Sequence, residues 1–389
     1  MTHLLSKKKI AIIGGGPGGL TLARLLQQQN TDVTIYERDT DRHARMQGAT
    51  LDLHQASGLK AIKAAGLLDA FQQHYRPGAD MLRITDKQAR VLYDQHTETQ
   101  HLSFDAEHFR PEIDRGPLRD ILLDSLLPGT VAWGHQLKSL IPEQDGWRLT
   151  FQNDTTAYAD IVVGADGARS KIRPLITPVT ARYAGVTIVE GTLKNAASYA
   201  PALVQLTGGG KVFAMGHERS LILSAKGDGA LSFYTGCKTE ENWASKSGID
   251  FADSQQVYEW FAGEFGGWHP VWQELFAGAA TECVVRPQYC MPTDQTWEAQ
   301  HNITMLGDAA HLMPPYAGEG VNMAMLDALE LSEHLTNNTH NNIREAIAAY
   351  ESAMRQRAAE VATETMHNTE IIHSPQGLQW MVNAFTGHE

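Results

Sequence analysis

The sequence predicts an α/β protein: a Rossmann-like nucleotide-binding domain built from discontinuous segments, an inserted antiparallel β-sheet domain, and a C-terminal helix bridging the two. Three observations predict it. A glycine-rich turn, Gly14-Gly15-Gly16-Pro17-Gly18-Gly19, follows an apolar strand near the start of the 389-residue chain. A second strand-to-helix turn, residues 307–322, lies almost three hundred residues later. Between them, residues 184–238 switch to short strand-like runs separated by turn signals. Two such turns on one chain imply one long ligand spanning both.

The first turn belongs to a β-α-β unit. Lys9–Ile13 reads as the strand, and Gly14, Gly16 and Gly19 fill the G-x-G-x-x-G positions. The first glycine makes the tight turn, the second lets backbone approach a pyrophosphate, and the third packs helix against strand. Leu20, Ala23, Leu25 and Leu26 continue the helix, and a second strand, Asp32–Tyr36, ends at Glu37-Arg38. Glu37 stands 23 residues after Gly14, about the spacing of the acid that binds a ribose 2′-hydroxyl. An acid there disfavours a 2′-phosphate, so NADP is not expected in this site.

Residues 51–72 read as helical, with Leu59, Ile62, Ala65 and Leu68 on one face. Residues 76–110 mix short strand patterns with polar loops. Pro117 sits just inside a helix start whose apolar face is Leu118, Ile121, Leu122 and Leu126. Strands are expected over 130–133, 136–142, 147–152 and 157–163. An antiparallel meander follows over 186–193, 202–207, 212–216, 221–225 and 230–237, with Gly208-Gly209-Gly210 as a hairpin turn. Helical patterns return over 251–278 with an aromatic stripe that reads as core. Residues 343–372 form a long polar helix, and the tail carries Trp380, Met381 and Phe385.

Composition narrows the class. Net charge is −13 and no basic run exceeds Lys7-Lys8-Lys9, which argues against nucleic acid and anionic membranes as partners. Cys237, Cys283 and Cys290 are an odd count without C-x-x-C, which speaks against a disulfide framework or structural zinc and fits a reducing cytoplasm. No segment approaches the roughly eighteen apolar residues of a membrane span, and no secretory pattern precedes the first strand. Metal-ligand spacing is absent, H-E-x-x-H included. A cytoplasmic monomer acting on a small molecule is expected.

Two further motifs carry chemistry. Val163-Gly164-Ala165-Asp166-Gly167-Ala168-Arg169-Ser170 reads as a strand-to-helix connection, with Asp166-Gly167 turning and Ser170 near an N-cap. In the late turn, Asp308 stands at a strand end and Pro314-Pro315 stiffen the chain. Gly318 and Gly320 then bare backbone N–H groups at a helix N-terminus, a geometry that suits an anionic or electron-rich ligand.

The three motifs in this order resemble the FAD-dependent aromatic-hydroxylase type of monooxygenase over nearly the whole chain. Within it the sequence is most similar to the tetracycline-inactivating TetX-type enzymes. That likeness rests on residues 11–17, Tyr36-Glu37-Arg38, Thr50-Leu51-Asp52-Leu53-His54, residues 307–315 and a C-terminal helix after residue 350. The resemblance implies an FAD-binding domain of residues 1–75, 111–183 and 284–345. It assigns 76–110 and 184–283 to a substrate domain and 346–389 to the bridging helix and tail. It implies Gly14, Gly16, Gly19, Glu37 and Arg38 at the ADP end, Arg119 near the ribityl–phosphate region, Asp166 near the cofactor and Asp308 on the ribityl chain. Pro315 and Gly318 would line the flavin, with Gly320, Val321 and Asn322 at its pyrimidine edge. Arg45 and Gln47 approach the other face or belong to a solvated loop.

The implied chemistry belongs to the cofactor. NAD(P)H acts as a transient reductant, since a second G-x-G-x-x-G is absent. Molecular oxygen then reaches an electron-rich carbon of an aromatic or polyketide substrate through a C4a-hydroperoxyflavin. Val189, Lys211, Ser232 and Tyr316 stand where the tetracycline enzymes carry glutamine, arginine, histidine and phenylalanine, and lysine lacks the arginine fork. Tetracycline inactivation, and hence antibiotic resistance, is one reading; a phenolic hydroxylase without tetracycline activity is another. His54 and His311 read as structural residues or bases, and His367 and His373 face substrate or solvent. An FAD-linked dehydrogenase or oxidase shares the first fingerprint, but the double-proline motif speaks against it. A flavin halogenase would carry Trp-x-Trp-x-Ile-Pro, which is missing. A non-catalytic flavoprotein sensor would show no NAD(P)H turnover.

Overall fold

The computed structural model describes residues 4–44, 50–97, 103, 104, 106, 109–276 and 281–387; Arg45 and Gln47 lie outside them. The expected β-α-β opening is present as β1 (Lys9–Ile13), α1 (Pro17–Gln28) and β2 (Asp32–Tyr36). Pro17 begins α1 where no N–H is needed, and Leu20, Leu22, Ala23 and Leu26 are fully buried. The 51–72 stretch is not one helix but β3 (Thr50–Asp52), α2 (Gly58–Ala64) and α3 (Leu68–His74). Next come β4 (Leu82–Asp86), β5 (Val91–Asp94), β6 (Glu112–Asp114) and α4 (Arg115–Asp124), which buries Leu118, Ile121 and Leu122 as its pattern requires.

The strands β7 (Val131–Ala132), β8 (Leu137–Glu143), β9 (Gly146–Phe151), β10 (Thr156–Ala159) and β11 (Ile161–Gly164) follow. The single strand expected over 157–163 is therefore two, which join different sheets. After β12 (Arg182–Leu193) the chain forms α5 (Ala196–Tyr199) and α6 (Pro201–Thr207). Helix α6 replaces the strand expected over 202–207: Pro201 sits in its first turn and Gly208 ends it, so the glycine triplet is a helix exit and not a hairpin turn. Then come β13 (Lys211–Gly216), β14 (Arg219–Ala225), β15 (Leu231–Lys238), α7 (Trp243–Lys246), α8 (Ser254–Glu264) and β16 (Thr281–Cys290). The chain closes with β17 (Ile303–Met305), α9 (Asp308–His311), α10 (Gly320–Thr336), α11 (Ile343–Ile372) and α12 (Gly377–Thr386).

A five-stranded parallel sheet has the order β17-β11-β1-β2-β7. Both dinucleotide-type turns, and the turn at Asp166, leave the C-terminal ends of its three adjacent strands β1, β11 and β17, where ligands of open α/β sheets bind. The antiparallel β10-β9-β8 covers its far face through Trp147, Leu149 and Phe151. A seven-stranded sheet, β16-β12-β15-β14-β13-β4-β5, is antiparallel except for β13 beside β4. The borders drawn at 183/184 and 283/284 fall inside its strands β12 and β16. One face of this sheet packs Val189, Leu223 and Phe233 against α6 and the aromatic α8 segment. On the other, Ile372 and Met381 of the C-terminal helices meet Leu82, Ile84 and Met215.

Asn322, expected beside the flavin, is instead a fully buried staple. Its Oδ1 accepts from the backbone N–H groups of His54 (2.9 Å) and Gly58 (3.2 Å), and its Nδ2 donates to the Asp52 carbonyl (2.9 Å). It fixes α10 to the β3–α2 connection. Replacing Asn322 with alanine strands two buried donors, each costing about 1–3 kcal/mol. The variant is expected to lose roughly 2–4 kcal/mol of stability. A thermal or urea transition checks this, and an unchanged midpoint would refute the staple.

Candidate active site

An elongated cavity of about 1340 Å³ runs from the β1–α1 turn to the seven-stranded sheet. Gly14, Gly16, Gly19, Glu37 and Arg38 line one end; Arg115, Asp166, Asp308 and Pro315 through Gly318 line the middle. Gly320 and Val321 present the N-terminus of the 17-residue helix α10 to it. Ile188, Lys211, Phe213, Ile222 and Tyr234 from the sheet, and Ile372, Trp380, Met381 and Phe385 from the C-terminal helices, line the far end.

The glycines divide their work as the fingerprint requires. Gly14 has φ 111°, and a Cβ there would overlap the Ala165 carbonyl oxygen. A Cβ at Gly19 would strike the Gly14 carbonyl, whereas one at Gly16 meets nothing within 4 Å: that side is open for phosphates. The Glu37 carboxylate accepts from the N–H groups of Gly15 (2.6 Å) and Asp39 (3.0 Å), fixing it at the cavity wall. Asp166 accepts from the Lys171 N–H (2.7 Å) through one oxygen, while its buried Oδ1 has no partner. Arg115 Nε is likewise buried and unmatched. Open space at Gly16 and orphaned polar atoms at Asp166 and Arg115 fit a long ligand rich in phosphate and hydroxyl oxygens.

Arg119 does not reach the cavity. It is buried under α4, donating to the Arg42 carbonyl (2.8 Å) and Asp39 (3.3 Å) with its guanidinium 5.4 Å from the Trp133 ring centre. Arg115, one helical turn earlier, lines the cavity instead. Asp308 lies deep in the protein with its surface open to the cavity. Desolvation raises its pKa, against the attraction of His311 and Arg115.

Behind this loop sits a buried ion cluster. Asp327 accepts from the Gly307 N–H (2.9 Å), His311 Nε2 (2.5 Å) and Arg357 (2.8 Å). Burial opposes the His311 charge, but Asp327 outweighs it and raises the pKa of the ring. His311 is thus a structural ion-pair partner. His54 is another: its ring nitrogens stand 3.0 Å from Asp52 and 3.0 Å from Glu319. Burial works against its charge, yet hydrogen bonds to those carboxylates push its pKa up to about 9.

At the sheet end, Tyr316 lines the cavity with its hydroxyl 3.4 Å from His373 Nε2, which also meets Ser220 Oγ at 3.1 Å. His373 is fully buried, and desolvation lowers its pKa to about 4. His367 is exposed beside Trp380. Val189 is not a cavity residue: strand alternation turns it into the helix-covered core while Ile188 faces the cavity. Ser232 shares a strand face with Tyr234 but is buried, its hydroxyl 3.5 Å from the Ser224 carbonyl. Sequence reasoning missed Arg115, Glu112, Asp52 and Tyr234. Asp52 stood within a quoted motif, and the i, i+4 spacing of Arg115 and Arg119 was the signal available for the first.

A phosphate entry, a ribose acid and a second half-site at a helix N-terminus together define a dinucleotide-dependent flavoprotein. The family model described as FAD binding domain matches residues 7–200 and 295–365, and the chain belongs to that family. It is similar to monooxygenase penA of Penicillium thymicola, at 28% identity over 437 aligned positions covering 97% of this chain and 98% of that one. The structure of Klebsiella pneumoniae HpxO complexed with FAD and uric acid superposes with a TM-score of 0.77 at 20% identity, covering 99% and 97%. That of the tetracycline destructase Tet(51) gives 0.71 at 15% identity, covering 98% and 96%. The protein is an FAD-dependent monooxygenase.

Three substitutions separate the roles assigned above. Asp308→Ala is expected to weaken FAD by roughly tenfold to a few hundredfold, the loss expected if its carboxylate makes one or two charge-assisted bonds of about 1.5–3 kcal/mol each to the cofactor. Arg115→Leu should weaken FAD by about tenfold or more with the fold retained. Arg119→Leu should lower the melting temperature more than the FAD affinity. Fluorescence titration of the apoprotein with FAD checks all three, and wild-type affinity in Asp308→Ala would reduce that residue to a helix cap.

Proposed function

We propose that this chain uses NAD(P)H to hydroxylate a planar aromatic or polyketide-type small molecule held between the flavin and the seven-stranded sheet. The observation that carries the reading is the continuity of the cavity, from the glycine turn to an apolar sheet face carrying Lys211. Bound FAD supplies the redox chemistry, taking electrons from the nicotinamide and delivering one oxygen atom to the substrate.

The chain's own residues bind, orient and exclude water. Gly14, Gly16 and Glu37 hold the adenosine end; Arg115, Asp166 and Asp308 hold the middle. Pro314-Pro315 make a stiff wall, and the N–H groups at Gly320 and Val321 present the positive end of α10, which stabilises negative charge on the ring edge. Trp380, Met381 and Phe385 close the substrate end with apolar surface, which keeps water from a reactive oxygen donor.

Tetracycline is the named candidate because of the likeness stated above, and the placement of the sheet residues favours a different phenolic or polyketide substrate. Val189 faces the core, Ser232 is buried, and Lys211 is a single point charge engaged by Glu112. Two unmet polar groups on a buried ligand cost about 1–3 kcal/mol each. Tetracycline is therefore expected to be turned over slowly or not at all, with oxygenated product from other aromatic or polyketide compounds. The experiment follows NAD(P)H oxidation across a compound panel and weighs the products for one added oxygen. Efficient loss of tetracycline absorbance would overturn the specificity reading. Peroxide release with no oxygenated product from any compound would point to an oxidase.

A further inference from the structure

Beside the cofactor cradle lies a compact group of charges that the proposed function leaves unused. Strand β3 pairs antiparallel with β6, which sets Asp52 directly opposite Glu112. Asp52 borders Gly318 of the flavin loop and is bonded to His54. Glu112 reaches across to Lys211, the first residue of β13, and makes a direct ion pair with it. Asp52, Glu112 and Lys211 all line the cavity. The Glu112 side chain is 1% exposed and that of Lys211 is 20% exposed, so the lysine is the more accessible partner of the pair. The second Glu112 oxygen is buried without a hydrogen-bond partner.

We propose that Glu112 and Lys211 form an exchangeable ion pair that selects planar ligands bearing an anionic oxygen. The ligand's oxyanion replaces the Glu112 carboxylate on Lys211, and Glu112 takes up one proton as it is released. The proton comes from solvent when the ligand enters as an anion, or from the ligand's own hydroxyl when it enters as a phenol or enol. Charge is conserved at the site: one carboxylate is neutralised and one oxyanion takes its place. This rests on the reading of the sheet end as the substrate site.

The surroundings make the exchange feasible near neutral pH. Desolvation raises the Glu112 pKa; Lys211 pulls it back, Asp52 adds to the rise, and the outcome is about 7. Lys211 stays protonated: burial opposes its charge, but Glu112 and Asp52, with Asp80 just before β4, overcome that. His54 holds Asp52 ionised throughout, since the pKa of Asp52 lies well below the usual range despite its burial. A carboxyl poised there accepts or yields a proton at small cost, which one at its ordinary value would not. The sign follows directly. Above about pH 7 an ionised Glu112 competes for Lys211 and weakens anion binding; below it, the protonated acid leaves Lys211 to the ligand.

The test measures binding and needs no turnover, so it stands apart from the hydroxylase assay. The FAD-loaded enzyme is titrated with 2-naphthoate, an anion at every pH used, and with neutral 2-methoxynaphthalene, following the flavin absorbance from pH 6 to 9. The expected result is a 2-naphthoate Kd that rises up to about tenfold per pH unit above pH 7, while the Kd of the neutral compound stays flat. In Glu112→Gln the pH dependence should vanish, with 2-naphthoate bound at pH 8 at least about tenfold tighter than by wild type. Lys211→Met should lose 2-naphthoate and keep 2-methoxynaphthalene. A wild-type Kd independent of pH, the same slope in Glu112→Gln, or failure of 2-naphthoate to bind would each overturn the proposal.

Discussion

The site depends on one buried carboxylate. Asp327 sits inside α10 and binds the Gly307 N–H, the His311 ring and the Arg357 guanidinium together. Gly307 has φ 58° and ψ −144°, a conformation open to glycine, and the bond from its N–H holds that turn in place. His311 closes the short helix that begins with Asp308, so the cofactor-facing acid is oriented from behind. Arg357 brings in α11, the helix that also crosses to the seven-stranded sheet. A lone buried charge would cost several kcal/mol; three donors around one carboxylate offset that and allow few other arrangements. Loop, flavin-facing helix and bridging helix are thus fixed by one residue that touches no ligand.

Around that point, sheet geometry decides what each side chain can do. Successive residues of a strand face opposite ways. On β12, Ile188 faces the cavity and Val189 the aromatic core. On β15, Tyr234 faces the cavity and Phe233 the core. A one-residue displacement in reading such a strand exchanges a ligand contact for a packing residue.

This explains what the sequence revealed. The β-α-β opening, Asp308, the α10 N-terminus and the long helix over 343–372 were legible because each is local: spacing, glycine positions and periodicity specify them within a few residues. Val189, Ser232, Arg119 and Asn322 were not. Whether Arg115 or Arg119 faces the ligand depends on how α4 rolls against α1 and α3, and whether Asn322 meets ligand or backbone depends on a contact 268 residues away. Residues 202–207 alternate weakly enough to pass for a strand, and Pro201 and Gly208 at their ends were the overlooked helix signals. Glu112 is ordinary in sequence and acquires significance only when β6 and β13 bring it to Lys211.

The cradle draws on both ends of the chain: Gly14 and Glu37 from the first forty residues, Asp308 and α10 from beyond residue 300, and, through Asp327, Arg357 on α11. During synthesis, therefore, the N-terminal β-α-β unit leaves the ribosome long before β17 exists to complete the sheet beside β11. The most distant contacts close last, and their loop-closure entropy is met only then. FAD, which favours the assembled form by mass action, is a late-acting fastener joining the two ends of the polypeptide. In flavin-starved cells the nascent protein should linger as an unclosed intermediate, so vitamin supply would govern how much of the polypeptide matures.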